Sequence, residues 1–292
     1  MPQITNRAVF ARALRIGVRK LRSPVRSRRM SRRRDAIVRC AAALASLAWP
    51  ALAGSAQRRS LDDPMRLAAD DALVDSGLAG ELQRAFGRDT GVAVKLLRAP
   101  ASALLQALEQ GEHDAALCNA PEAETALETQ GLLHDRRRIA ATDFVLVGPS
   151  VLAKTLAAGG DVVRALTRLA ELQAPFISRH DGSGTHLAEL GLWRTARLAT
   201  APAWYIAARA ETPLFEQARQ LKACTLVEHG VWLAQGGAAG YADLCPGDPR
   251  LAVDVHVMRS FRVNHPGARL FVNWVAGAGG RRVAAAVRGY HA

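Results

Sequence analysis

The stretch Ile177-Ser178-Arg179-His180-Asp181-Gly182-Ser183-Gly184-Thr185-His186 gathers more side chains with chemical potential than any other in the chain. Its glycines permit a tight turn with consecutive N–H groups exposed. A helix is expected to start there, and the first N–H groups of a helix lack partners and carry the positive end of its dipole. Arg179 adds a forked, permanently charged donor. Ser178, Ser183 and Thr185 add hydroxyls. This inventory suits a tetrahedral oxyanion held at a helix N-terminus. Ser178, Arg179, Asp181, Ser183, Gly184 and Thr185 are therefore the candidate ligand-binding residues. Local chemistry supports a plainer reading equally well, in which Ser183 or Thr185 caps the helix and Arg179 lies on the surface.

Other chemistries fit less well. His180 and His186 would need a further converging ligand to hold a metal, which Asp181 could supply, but isolated histidines usually satisfy local hydrogen bonds. Asp181-Gly182-Ser183-Gly184 lacks the leading glycine of the G-x-S-x-G nucleophile elbow, so a hydrolase is disfavoured. The turn is not a P-loop, because no Gly-Lys-Ser/Thr follows. No catalytic residue, metal or cofactor is assigned. Trp193, Trp204 and Trp232 read as packing residues. The runs Arg136-Arg137-Arg138 and Arg281-Arg282 read as solvated faces.

The elements that must position this turn alternate between strand and helix. Expected strands lie at 64–68, 92–97, 115–118, 144–147, 175–178, 224–227 and 253–258. Expected helices lie at 76–86, 101–110, 122–130, 162–172, 185–196 and 213–223. A closing helix with a glycine-rich interruption is expected at 273–287. This is the rhythm of a parallel sheet with crossover helices, repeated in two α/β lobes of roughly 100 residues each.

The 292 residues carry a formal charge of +13, are 49% hydrophobic and 22% charged, and have ample apolar material for a core. The charge is unevenly placed. Residues 1–53 hold 13 of the 39 Lys and Arg and one acid, Asp35, for a net +12. The remainder is close to neutral at +1. A nucleic-acid partner, which needs clustered cations on the folded body, is excluded on that ground.

From Met30 a charged region, the apolar run 36–53 and the small-x-small end Ala51-Leu52-Ala53 form an export-signal pattern, with cleavage expected near Ala53–Gly54. An uncleaved anchor and, for the Arg-rich residues 1–29, a mitochondrial-type presequence are the competing readings. The true start is Met1 or Met30, and Ser31-Arg32-Arg33 hints at twin-arginine rather than general export. Beyond Cys40 in the signal, Cys118, Cys224 and Cys245 remain. Cys224 and Cys245 form a disulfide, or all three are buried thiols; spacing does not decide.

Several segments resemble the periplasmic tungstate-binding proteins of ABC importers, within the type II periplasmic solute-binding group. They are Asp75-Ser76-Gly77-Leu78, Ala120-Pro121-Glu122 preceded by Asn119 where the family has His, and Asp143-Phe144-Val145-Leu146-Val147-Gly148-Pro149. The strongest match is Phe176 to His186 with Glu189 and Trp193. Trp204-Tyr205, Thr225-Leu226, Gly230-Val231-Trp232-Leu233-Ala234 and Gly247-Asp248-Pro249 follow in the family's order. The resemblance spans about 75–274. Its shorter core, 179–185, is also similar to the anion loop of phosphate-binding proteins.

The sequence departs from the family where the facing donors belong. A hydroxyl-rich segment is replaced by Ala69-Asp70-Asp71-Ala72, whose acids would repel a dianion. A Gly-Thr-Gly turn is replaced by Ala99-Pro100-Ala101, and Pro100 has no N–H to donate. A glycine-rich segment is replaced by Arg209-Ala210-Glu211-Thr212.

The resemblance implies an α/β, two-lobe Venus-flytrap fold of type II. One lobe would span about 64–144 and 254–292, the other 145–253, after the N-terminal extension and signal at 1–53. It further implies a periplasmic, monomeric, non-enzymatic protein that delivers tungstate, molybdate or another small oxyanion to an ABC permease in the inner membrane. The alternative is a periplasmic sensor or partner-binding module that kept the fold and lost the ligand.

Overall fold

The computed structural model describes residues 57–58, 60–156, 159–200 and 203–291. The export-signal and start-site readings at 1–53 lie outside them. Helices and strands alternate, as the sequence pattern predicts. β1 (Gln57–Arg58) pairs with the late strand β11 (Val263–Asn264). β2 (Met65–Ala69), β3 (Val94–Arg98) and β4 (Ala115–Cys118) form a parallel set in the order β3-β2-β4. Their connections carry α1 (Asp71–Asp75), α2 (Leu78–Thr90) and α3 (Ala101–Gln110). The expected first helix, 76–86, corresponds to α2, and the short α1 precedes it. Gly77 adopts φ +88°, a left-handed conformation that ends the short α1 and admits α2.

After α4 (Pro121–Thr129) comes β5 (Leu133–Pro149), much longer than the 144–147 read from its apolar run. Three arginines hide its first half. Arg137 and Arg138 are exposed, as expected, and bond Asn273 and Asp254, whereas Arg136 is half-buried with its Nε 2.9 Å from the buried Glu124 Oε2. β5 changes partners along its length. Up to Asp143 it runs antiparallel to β10 (Ala252–Ser260), which also pairs with β4. From Phe144 it pairs with β8 (Thr225–Glu228), and from Val147 with β9 (Tyr241–Asp243). The sheet is therefore mixed, not wholly parallel as expected.

The remaining elements are α5 (Ser150–Leu156), α6 (Val162–Glu171), β6 (Phe176–Ser178), α7 (Gly184–Thr195), β7 (Tyr205–Ala207), α8 (Leu214–Leu221) and α9 (His229–Ala234). A 3-10 turn, Pro249–Leu251, leads into β10. The expected closing helix is two, α10 (Pro266–Ala276) and α11 (Ala278–Ala286).

Two large cores result. One gathers Leu67, Leu82, Phe86, Val257 and Phe271. The other gathers Leu146, Leu166, Phe176, Trp193 and Leu226. Trp193 packs edge-on to Phe176 with ring centres 5.1 Å apart, and Trp232 packs against Phe215. Cys118, Cys224 and Cys245 are all buried free thiols, so the Cys224–Cys245 disulfide is not formed. No helix among the described residues is long and apolar enough to cross a membrane.

Candidate functional site

β6 ends at Ser178, and α7 begins six residues later, at Gly184. Ser183 is the N-cap of α7: it is fully buried, and its hydroxyl accepts from the His186 N–H at 3.3 Å. Asp181 tightens the approach, its Oδ1 accepting from the Ser183 N–H at 2.9 Å. Its Oδ2 receives the Arg179 Nε at 2.9 Å. Burial pushes the Asp181 carboxyl up, but Arg179 and Ser183 outweigh it and hold the pKa below the usual value. His186 Nδ1 accepts from the Gly182 N–H, which fixes the tautomer with hydrogen on the other nitrogen. Burial lowers its pKa, keeping the ring neutral. Ser178 is buried and its hydroxyl accepts from the His180 N–H.

The six residues singled out in the sequence occupy one turn but play different parts. Arg179 and Asp181 line an open cleft of about 640 Å³, with Asp71, Asp75, Arg98 and Gln217 across from them. Ser183, Gly184 and Thr185 are buried instead. Gly184 fits so closely that a Cβ there would overlap Asn119 Oδ1. Gly182, at φ +74°, similarly abuts Ser102. The Ser102 N–H donates to the Gly182 carbonyl at 3.0 Å, so α3 meets the turn through its own first residues.

From its place in the sequence, Asp70 was expected opposite the turn as a repulsive charge. The structure gives it a contact instead. Asp70 is fully buried; Oδ1 accepts from the Ala72 N–H at 3.1 Å and Oδ2 accepts from the Gly184 N–H at 3.0 Å. A carboxylate oxygen thus lies on an N–H group at the start of α7. Burial pushes the Asp70 carboxyl up to about 6, against the Gly184 and Ala72 bonds and the Arg179 charge that lower it, while Asp71 raises it. Asn119, noted only as a departure from a family motif, is fully buried with Oδ1 and Nδ2 both unpartnered. Thr185 Oγ1 is also buried without a partner. The signal for Asp70 was its type and place before the first helix; nothing local could reveal that it reaches residue 184.

Pro100 is the N-cap residue of α3, so its missing N–H leaves the helix start intact. Arg209 is held through its backbone: its N–H donates to Gln217 Oε1 and its carbonyl accepts from Gln217 Nε2, both at 2.9 Å. Beneath the turn, Tyr205 donates to the buried Glu189, whose carboxyl burial pushes up to about 7. Among the described residues, no group of three or more His, Cys, Asp or Glu is arranged to hold a metal.

Two lobes of mixed α/β structure, with an N–H-lined helix start beside a cleft, define a ligand-binding module of the periplasmic-binding type. Residues 65–278 match the family model of the PBP superfamily domain, and the chain belongs to that superfamily. It is similar to the tungstate-binding protein TupA of Peptoclostridium acidaminophilum, 28% identical over 230 residues that cover 76% of this chain and 80% of the relative. Among solved structures, that of the tungstate ABC transporter from Geobacter sulfurreducens aligns with a TM-score of 0.65 at 27% identity, covering 76% and 97% of the two chains. The tungstate-binding protein TupA from Desulfovibrio alaskensis G20 aligns with a TM-score of 0.64 at 25% identity, covering 78% and 98%. These relatives are binding proteins rather than enzymes.

Proposed function

We propose that this protein is an extracytoplasmic solute-binding protein of an ABC importer, and that it captures a small oxyanion where α7 begins. The observation that carries the reading is the Gly184 N–H: in this structure it already holds an anionic oxygen, that of Asp70, in a fully buried setting. A group of this kind holds anions by geometry and dipole together. The similarity to tungstate-binding proteins over three quarters of the chain supports the same ligand class. In this reading Arg179, Ser178, Asp181, Ser183, Gly184 and Thr185 form the site. One lobe spans about 64–144 and 254–292, the other 145–253, and they close on the ligand by bending where β5 changes partners. The mature protein begins near Gly54, works as a periplasmic monomer, catalyses no reaction and presents its closed form to an inner-membrane permease.

Titration calorimetry of the purified protein with tungstate, molybdate, sulfate, phosphate and small carboxylates tests this. Binding of at least one tetrahedral oxyanion, weakened by Arg179→Ala, supports it; silence toward all of them overturns it.

A further inference from the structure

Resting on the reading of this chain as a solute-binding protein that captures an oxyanion, we infer that the oxyanion is the head group of a small organic zwitterion. An ammonium group and a short apolar linker complete the ligand. It lies in the cleft bordered by α1, the turn before α7 and the loop between β7 and α8.

The start of α7 itself is already taken. Asp70 Oδ2 fills the Gly184 N–H at 3.0 Å, and Ser183, Gly184 and Thr185 are buried. An incoming ligand meets the side chains that line the cleft instead. The cleft measures about 640 Å³, and it persists although Asp70 and Ser102 already bond the turn. Sites of about 300–1,000 Å³ enclose whole organic molecules. A four-oxygen anion replaces only a few waters of about 30 Å³ each.

Three arginines and three aspartates line the cleft, so their charges leave no surplus to draw in a dianion. They are unevenly paired. At α1, Arg98 donates to Asp71 at 2.8 Å and to Asp75 at 2.9 Å, which leaves two carboxylates on one guanidinium. Arg98 engages Oδ1 of Asp71 and leaves Oδ2 open to a further donor. At the turn, Arg179 is matched by Asp181. On the loop after β7, the backbone of Arg209 is fixed by Gln217, and among the described residues no acid pairs with its guanidinium. The α1 side is therefore short of a cation and the β7–α8 side short of an anion. A zwitterion satisfies both through charge-assisted bonds. A bare anion satisfies one and meets the α1 acids as like charges. Leu214, Phe215, Val227 and Val231 add an apolar wall to the same cleft. A hydrated inorganic anion gains nothing from that wall, whereas methylene groups placed against it leave water.

The test is calorimetry at neutral pH with two zwitterions, 3-aminopropanesulfonate and 5-aminopentanoate, and with propanesulfonate, propylamine, sulfate and tungstate. At least one zwitterion should bind the native protein tenfold or more tightly than any of the other four. Asp71→Asn keeps the shape of the side chain and removes its charge; it should narrow the gap between 3-aminopropanesulfonate and propanesulfonate roughly tenfold. Arg209→Gln should weaken both sulfonates roughly tenfold, and its backbone bonds to Gln217 are untouched. Melting temperatures establish that both variants are folded. Tungstate, sulfate or propanesulfonate binding as tightly as the better zwitterion overturns the inference and leaves the oxyanion-importer reading standing. Zwitterion affinity unchanged in both folded variants overturns it too. Failure of the native protein to bind any of the six overturns both.

Discussion

Arg179 donates a hydrogen bond from Nε to Asp181, 2.9 Å away, and the pair is only partly shielded from water. Asp181 in turn holds the Ser183 N–H. At the proposed anion site Arg179 would contribute twice, by its own charge at the cleft wall and by holding the carboxylate that shapes the turn. Arg179→Ala should lower oxyanion affinity roughly ten- to a hundredfold, since a charge-assisted bond contributes about 1.5–3 kcal/mol. Ser183→Ala should have the opposite profile. It removes the α7 cap, about 1 kcal/mol of stability, while the N–H groups remain. Calorimetric affinities beside melting temperatures separate the two. An Arg179→Ala protein that binds as tightly as the native one would show the turn to be a helix cap alone. The residue types in this turn were legible in the sequence because chemistry, spacing and the start of a helix coincide there. What they face was not: Asp70 precedes Gly184 by 114 residues, and only the folded chain brings the two together.

At the scale of elements, the β5 strand was half visible. Its apolar residues 144–147 read as a buried strand, whereas Arg136, Arg137 and Arg138 read as surface until their partners on α4, α10 and β10 were in place. Parallel strands β2 to β4 were legible because each is followed by a helix; the antiparallel pairings of β10 and β8 with β5 are long-range and leave no local mark. Where β5 changes partners, Thr142 Oγ1 lies 2.7 Å from both Glu228 Oε1 and the Gly289 carbonyl. One hydroxyl hydrogen cannot serve both. A protonated Glu228 resolves this by donating to Thr142, which then donates to Gly289. Burial pushes the Glu228 carboxyl up to about 7, against the Thr142 bond and the N–H groups of α9. The folded state therefore binds a proton more tightly than the unfolded state. Stability should fall as pH rises from the ordinary glutamate range to about 7, by on the order of 1–3 kcal/mol. Glu228→Gln supplies a permanent donor and should flatten that decline in melting temperature against pH. A decline that persists unchanged in the variant would assign it elsewhere, Glu189 being the next group with a raised pKa. Gly184→Ala acts on the same scale, because a Cβ at residue 184 cannot coexist with Asn119 at its present distance. Anion affinity should drop more than tenfold while α7, which gains a better helix former, stays folded by circular dichroism.

The described residues hold two large apolar cores and three smaller clusters, one of which packs Leu187 of α7 against α3. The Gly184 N–H donating to Asp70 and the Ser102 N–H donating to the Gly182 carbonyl tie the residue after β2 and the start of α3 to the turn that precedes α7. On the proposed reading, an anion bound at that junction would add contacts to both sides at once and would bind only the folded, closed form. By mass action, ligand at a hundred times its dissociation constant should add about 2.7 kcal/mol to the unfolding free energy. For a folded body of this size the melting temperature should rise by about 5–10 °C at most, and by about 2–4 °C per kcal/mol. Scanning calorimetry with and without the oxyanion that titration finds to bind tightest measures this directly. The rise should be lost in Arg179→Ala at the same oxyanion concentration, because the weaker site is no longer saturated. It should also appear in a single transition, since a ligand that bridges the cores couples their unfolding. Stabilisation confined to one of two resolved transitions would place the anion within one lobe and away from the α7 start.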